Sequence, residues 1–303
     1  MPRLVAVGSI AYDSLETPFG RRDRALGGSA VHFALAARLF TEVGVVGVVG
    51  DDFDGEPVLT ERGIDTSGIQ VVPGGTTFAW EGRYGYDLNV AETLDTRLGV
   101  FEHFDPQLGA EHRDAPVLFL GNIQPDLQRS VRAQSNAAFV ALDSMNLWIE
   151  IAGDALVAAI GEVDAVVLND GEARQLTGEA TLLKAARAIS ALGPRIVVIK
   201  RGEYGAALFV DGRFFGVPGY PLEEVFDPTG AGDSFAGGFV GYLAASGQTS
   251  PDLEHLRRAV AYGSIVASFN VEEFGTERVQ RLGRDEVDGR VRDFHAMTSF
   301  VLA

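Results

Sequence analysis

"DPTGAGDSFAGG" (227–238) is an unusual way to open a helix. The extended segment "PLEEVF" (221–226) leads into it, and "SFAGGFVGYLAASG" (234–247) continues with a helical apolar pattern that stops at Gly247. A helix start leaves its first backbone N–H groups without intrahelical partners, and together with the macrodipole they form an anion site. Gly230, Ala231 and Gly232 keep side chains away from those amides, so a ligand oxygen can approach. Asp233 is the puzzling member, because a carboxylate repels the anion such a site attracts. It makes sense as a group that takes a proton from a substrate hydroxyl while the amides hold phosphoryl oxygens. The plain alternative is an acid placed favourably in a first helical turn. Gly237 and Gly238 lie inside the helix pattern, where each glycine costs about 1 kcal/mol relative to alanine. Close helix packing is their structural explanation.

Outward from this stretch, "LVAVG" (4–8), "VGVVGVVG" (43–50), "PVLFLG" (116–121), "AFVALD" (138–143), "DAVVLN" (164–169) and "RIVVIK" (195–200) are nearly continuous apolar runs. Strands buried on both faces have this composition. Amphipathic segments at 29–40, 125–134, 171–178 and 181–193 alternate with them. The alternation predicts an α/β fold, a doubly wound and mostly parallel sheet sandwiched by helices. Two regions break the rhythm: the turn-rich, charged 9–28 and the aromatic–polar alternation "TTFAWEGRYGYDLNV" (76–90). They predict a small antiparallel β lid, formed by segments about 9–28 and 74–102, on a single domain spanning 1–303. In the second region, Phe78, Trp80, Tyr84 and Tyr86 fall on one face of an unbroken strand. Such a face suits stacking on a ligand or burial in a homodimer through the lid.

Composition narrows the classes. A net charge of −17 disfavours a nucleic-acid or anionic-membrane surface, and there is no apolar run long enough for a membrane span. Cysteine is absent, which removes disulfides and thiolate chemistry, and the N-terminus reads as a strand rather than a signal peptide. A cytoplasmic protein is expected. Lys184 and Lys200 are the only lysines and no Gly-Lys dipeptide occurs, which rules out a Walker-type phosphate loop. The glycines of "VGVVGVVGDD" lack the G-x-G-x-x-G spacing of a nicotinamide site.

The stretch "DPTGAGDSFAGGF" (227–239) resembles the C-terminal signature of the ribokinase-like sugar and nucleoside kinases, also called the PfkB family. The similarity extends over nearly the whole chain. "LGGSAVHFALAARL" (26–39) resembles the family's di-glycine motif, and "LNDGEARQLTG" (168–178) its Asn-x-x-Glu motif. "VIKRGEYGA" (198–206) resembles its nucleotide-side strand and turn, and "AVAYGSIVASFNVEEFG" (259–275) the helix and loop that close over adenine.

This resemblance implies an ATP-dependent phosphotransferase acting on a hydroxymethyl group of a sugar or related polyol. A nucleoside kinase of adenosine or cytidine type is the alternative within the family, and a non-catalytic nucleotide or metabolite sensor the reading outside enzymes. It implies Asp233 as the base, with the amides of Gly230, Ala231 and Gly232 as the anion hole. Asn169 and Glu172 would organise Mg²⁺ through its waters. Lys200, Gly202, Gly205, Thr229 and Ser264 would join Asn169 on the ATP side, with Arg201 facing the phosphates or solvent. Asp227, Thr229, Asn270 and Gly275 form a candidate monovalent-cation (K⁺) site. Asp13, Gly27, Gly28 and His32 would meet the acceptor, since a carboxylate suits a vicinal diol. The chain departs from the family in three places. His32 stands where Asn is usual, "LDSMNLWIE" (142–150) replaces an Asp-Pro-Asn-x-Arg stretch while keeping Asp143 and Asn146, and Ser264 replaces a frequent Asn.

Overall fold

The computed structural model describes residues 2–248 and 250–300. Thirteen strands, named in chain order, are β1 (Leu4–Val7), β2 (Ala11–Thr17), β3 (Gly20–Gly27), β4 (Val43–Gly50), β5 (Asp65–Val72), β6 (Phe78–Tyr84) and β7 (Ala91–Arg97), then β8 (Val117–Leu120), β9 (Phe139–Asp143), β10 (Ala165–Asn169), β11 (Ile196–Lys200), β12 (Ala206–Val210) and β13 (Arg213–Val217). Nine of them form the main sheet in the order β13-β12-β11-β10-β9-β8-β1-β4-β5. It is parallel from β11 through to β5, and the β12–β13 hairpin adds an antiparallel edge.

Continuous apolar strands suit this sheet because helices cover both of its faces. Within β8–β11 the residues still alternate. Phe119, Ala141, Val167 and Val198 enter one core, while Leu118, Leu142, Val166 and Val197 enter the other. The helices Ser29–Ala37, Ala231–Ser246 and Leu253–Asn270 pack on the first face. A Cβ on Gly237 would collide with the carbonyl of Phe33, and one on Gly238 would stand 3.0 Å from the Cα of Gly263. These glycines therefore let backbones touch, which offsets their low helix propensity.

The lid is a four-stranded sheet ordered β3-β2-β6-β7. β2–β3 and β6–β7 are antiparallel hairpins, but the inner β2–β6 pair is parallel, so the lid is mixed rather than wholly antiparallel. Among the described residues, no helix is long and apolar enough to cross a membrane. The parallel strands of the main sheet run the same way, which gathers the last residues of β9, β10 and β11 at one edge. Asp143, Asn169 and Lys200 are those residues. In open α/β sheets ligands bind outside the carboxyl ends of the strands.

Candidate active site

The helix Ala231–Ser246 starts from Gly230, whose φ of 71° lies in the left-handed region. A Cβ there would run into the ring of His32, so conformation and space both require glycine. The N–H of Ser234 donates to the carbonyl of Gly230 at 2.8 Å and begins the helical ladder. The N–H of Ala231 donates to the carbonyl of Pro228 at 3.1 Å and closes the turn. Ala231 therefore drops out of the expected anion hole. Among the described residues the amides of Gly230 and Gly232 have no partner and remain available.

Asp233 lies deep at the helix start yet keeps some accessible surface. Burial raises its pKa to about 7, the charge of Asp143 adds to this, and Lys200 and its own backbone amide oppose it. Lys200 donates from Nζ to Oδ2 of Asp143 at 2.9 Å, and both side chains are largely buried. Burial works against the Lys200 charge, but Asp143, Glu172 and Asp233 outweigh it and hold the amine above its usual value. Burial likewise raises Asp143, against the pull of Lys200.

Asn169 caps the helix Asp170–Thr177 in a reciprocal box. Its Oδ1 accepts from the N–H of Glu172, whose Oε2 accepts from the N–H of Asn169 and whose Oε1 accepts from Nδ2 of Asn169. Burial first of all raises Glu172 to about 7. Both carboxylate oxygens are thus occupied once, and each keeps a second lone pair. That donor set fits water molecules around a hydrated Mg²⁺, an ion that dehydrates reluctantly, better than direct ligation.

On the acceptor side, Asp13 of β2 lies against Gly27 of β3, where a Cβ would overlap the carboxyl group. Its pKa is pushed up to about 7, chiefly by burial and then by Asp227 and Asp233, with the Gly28 amide as a partial offset. Asp13 is thus within electrostatic reach of Asp227 and Asp233. The lid reaches the same loop: Thr229 Oγ1 donates to the hydroxyl of Tyr84 at 3.1 Å. Burial drives the Tyr84 phenol up to about 12. Further along the lid hairpin, Asn89 packs onto Gly202 in the short 3₁₀ turn Gly202–Tyr204, and Arg201 accompanies that turn with its N–H on the Gly205 carbonyl at 2.8 Å. One hairpin touches both the anion loop and the expected nucleotide-side turn.

The expectations for His32 and for the lid aromatics change. His32 is 1% exposed and lies beneath the loop rather than lining the cleft: its ring abuts Gly230 and its Nδ1 sits 3.0 Å from Oδ1 of Asn270. Since that oxygen can only accept, Nδ1 carries the proton, and burial lowers the pKa to about 4. Asn270 and Asp227 are each 0% exposed, and their side chains hold the loop together. Asn270 accepts from Ser234 Oγ at 2.9 Å and donates to the Thr229 carbonyl at 2.8 Å. Asp227 accepts from the N–H groups of Thr229 at 2.9 Å and Gly275 at 2.7 Å. The side chains of Asp227 and Asn270, two members of the expected monovalent-cation set, thus brace the loop. Ser264 is buried on the helix Leu253–Asn270, and its hydroxyl has no hydrogen-bond partner among the described residues. The lid aromatics do not form a free face. Phe78 stacks on Phe101 with centroids 5.3 Å apart, and Trp80 Nε1 donates to Thr93 at 3.2 Å. β6 ends at Tyr84, and Tyr86 stands 90% exposed beyond it. Asn146 is exposed at the start of the helix Asn146–Ile151. The residues that sequence reasoning missed as a unit are the Asp143–Lys200 pair and the Tyr84–Thr229 contact.

A buried carboxylate beside bare amides, at the carboxyl edge of a doubly wound sheet and next to a β lid, is the arrangement a ribokinase-like phosphotransferase requires. Comparison with known proteins agrees. The model for the pfkB family carbohydrate kinases matches residues 118–280. A cytidine kinase from Thermococcus kodakarensis is 34% identical over 245 residues, 78% of this chain and 87% of that one. The chain belongs to the pfkB carbohydrate kinase family, and its chemistry is ATP-dependent phosphorylation of a small molecule. Among solved structures, a Burkholderia thailandensis nucleoside kinase in complex with inosine superposes with a TM-score of 0.77 at 20% identity, over 99% of this chain and 100% of that one. A putative ribokinase II from E. coli, in complex with ATP and Mg²⁺, does so with a TM-score of 0.76 at 21% identity, over 97% and 100%.

Proposed function

We propose that the protein is an ATP-dependent nucleoside kinase that phosphorylates the hydroxymethyl oxygen of the ribose. The observation that carries this reading is that Asp13 lies within electrostatic reach of Asp233, with Tyr84 of the lid bonded to Thr229 of the loop before it. Asp13 offers a bidentate acceptor for the vicinal hydroxyls of a ribose, which would present its remaining hydroxymethyl group to Asp233. The similarity to a cytidine kinase favours a nucleoside over a free sugar.

In this reading Asp233 takes the proton of the hydroxymethyl group as its oxygen attacks the γ-phosphorus of ATP in line. The amides of Gly230 and Gly232 receive phosphoryl oxygens and keep their geometry throughout the reaction. Asn169 and Glu172 would hold the waters of Mg²⁺, which when bound supplies positive charge to the phosphates. Tyr84 and Asn89 keep the lid down so that bulk water does not compete with the acceptor. The reading is tested by ADP release with cytidine, adenosine, inosine, ribose and fructose. We expect one nucleoside to exceed both free sugars by about tenfold or more in kcat/KM, the scale of a modest pocket contact. A free sugar as the best acceptor overturns the substrate class. Absence of turnover with binding of ATP intact would favour the sensor reading.

A further inference from the structure

Lys200 is poorly explained by stability alone. Replacing a buried ion pair with apolar residues is often neutral or stabilising, so its pairing with Asp143 is weak evidence for a purely structural role. Its position suggests another one. Nζ stands 2.9 Å from Asp143 and only 3.0 Å from where a Cβ on Gly232 would be, so the ammonium lies against the loop that carries the bare amides. Asp143, Glu172 and Asp233 all act on this one cation. Lys200 in turn opposes the rise of Asp233. A phosphoryl group entering beside Asp233 adds more negative charge to a region where carboxylates already outnumber ammonium groups, in a chain of net charge −17.

We propose that Lys200 is a catalytic residue of the transfer: its ammonium, held by Asp143 in the free enzyme, contacts the oxygens of the phosphoryl group in flight. The inference rests on the kinase reading above. The acceptor O–H gives its proton to Asp233, and its oxygen forms the new bond to the γ-phosphorus. The bond from that phosphorus to the β,γ-bridging oxygen breaks, and ADP leaves with the electron pair. Lys200 keeps its protons and supplies charge alone. A flexible four-carbon stem with a compact ammonium suits a short excursion from Asp143 to such a target. Asp143 is then a positioning residue, which parks the ammonium in the apo state and keeps it on the correct side of the loop.

The test compares wild type with Lys200→Met and with the double variant Asp143→Asn/Lys200→Met. The double variant removes both charges at nearly constant shape, so it keeps the test open where the single variant fails to fold around an unpaired Asp143. We expect both to lose about 10²-fold or more in kcat, the scale of a lost transition-state donor, with KM for ATP changed less than about threefold. Calorimetry gives a readout that a structural role would not move. Aluminium fluoride, a mimic of the flying phosphoryl group, should tighten binding of Mg²⁺–ADP to wild type and not to either variant. A double variant that regains kcat to within about threefold of wild type, or that keeps the aluminium fluoride effect, overturns the proposal and leaves the pair as packing. A wild type that neither turns over an acceptor nor tightens on ADP in aluminium fluoride overturns the kinase reading itself. Variants that differ from an active wild type speak only to Lys200.

Discussion

Asp233 illustrates what one residue's surroundings do to its chemistry. Burial and the neighbouring Asp143 disfavour its ionised form, so it titrates at about 7 rather than in the ordinary carboxylate range. A base poised near working pH combines a useful population with real proton affinity. Asp233→Asn should therefore lower kcat by about 10²-fold or more while leaving the protein folded, and near-normal turnover would remove the assigned base. The active form is the deprotonated one. The sign follows: kcat/KM should rise with pH through about 7 and then level off, and a flat profile across that range would contradict the raised pKa. Asp13 also titrates at about 7, so the limb reports both groups rather than either alone. The placement of Asp233 at a helix start beside bare amides was legible in the sequence because its determinants are consecutive, from Asp227 to Gly238. His32 was not. Its residue type permits a ligand contact, but which way it points depends on how the helix Ser29–Ala37 meets the loop, and that packing is tertiary.

At the scale of elements, the loop 227–230 is a small machine of mutual support. Asp227 ties Thr229 to Gly275, Asn270 ties Thr229 to Ser234 and His32, and Gly230 turns the chain into the helix. Gly230→Ala should break it in two ways at once, through a positive φ and through collision with His32. A loss of about 1–3 kcal/mol in denaturant unfolding is expected, with a fall in kcat. An alanine variant as stable and active as wild type would show that the loop tolerates what its geometry forbids. The six apolar runs of the sequence all became strands of the main sheet with ends shifted by little, because both-face burial writes itself into composition. β5 ("DTSGIQVV") and β13 ("RFFGV") carried no such signal, since edge strands are only half covered. The meeting of Asp143 with Lys200, 57 residues later, was equally hidden. It depends on β9, β10 and β11 being neighbours in that order, and no local pattern encodes strand order.

For the whole molecule, function opposes stability at the carboxyl edge of the sheet. Asp13, Glu172 and Asp233 each titrate at about 7, well above their unfolded values, so the free protein holds carboxylates that resist ionisation. A group whose folded pKa is raised contributes its stability fully below the unfolded pKa and loses it as pH rises through the folded one. The apo protein should thus weaken from about pH 4 to about pH 7, the window set by these shifts. The net charge of −17 pushes in the same direction through general repulsion, so the slope alone does not identify the site. A single variant does. Asp13→Asn cannot ionise, so its melting temperature should match wild type at about pH 4 and exceed it increasingly up to about pH 7 and beyond. Each unit of pKa displacement corresponds to about 1.4 kcal/mol, or about 3–6 °C in a chain somewhat smaller than this one. A pH-independent difference between the two proteins would place Asp13 in ordinary solvent, away from the charges of Asp227 and Asp233. A difference that grows with pH, in a variant that no longer turns over, would show that the carboxylate proposed to bind the acceptor is retained at the expense of the fold.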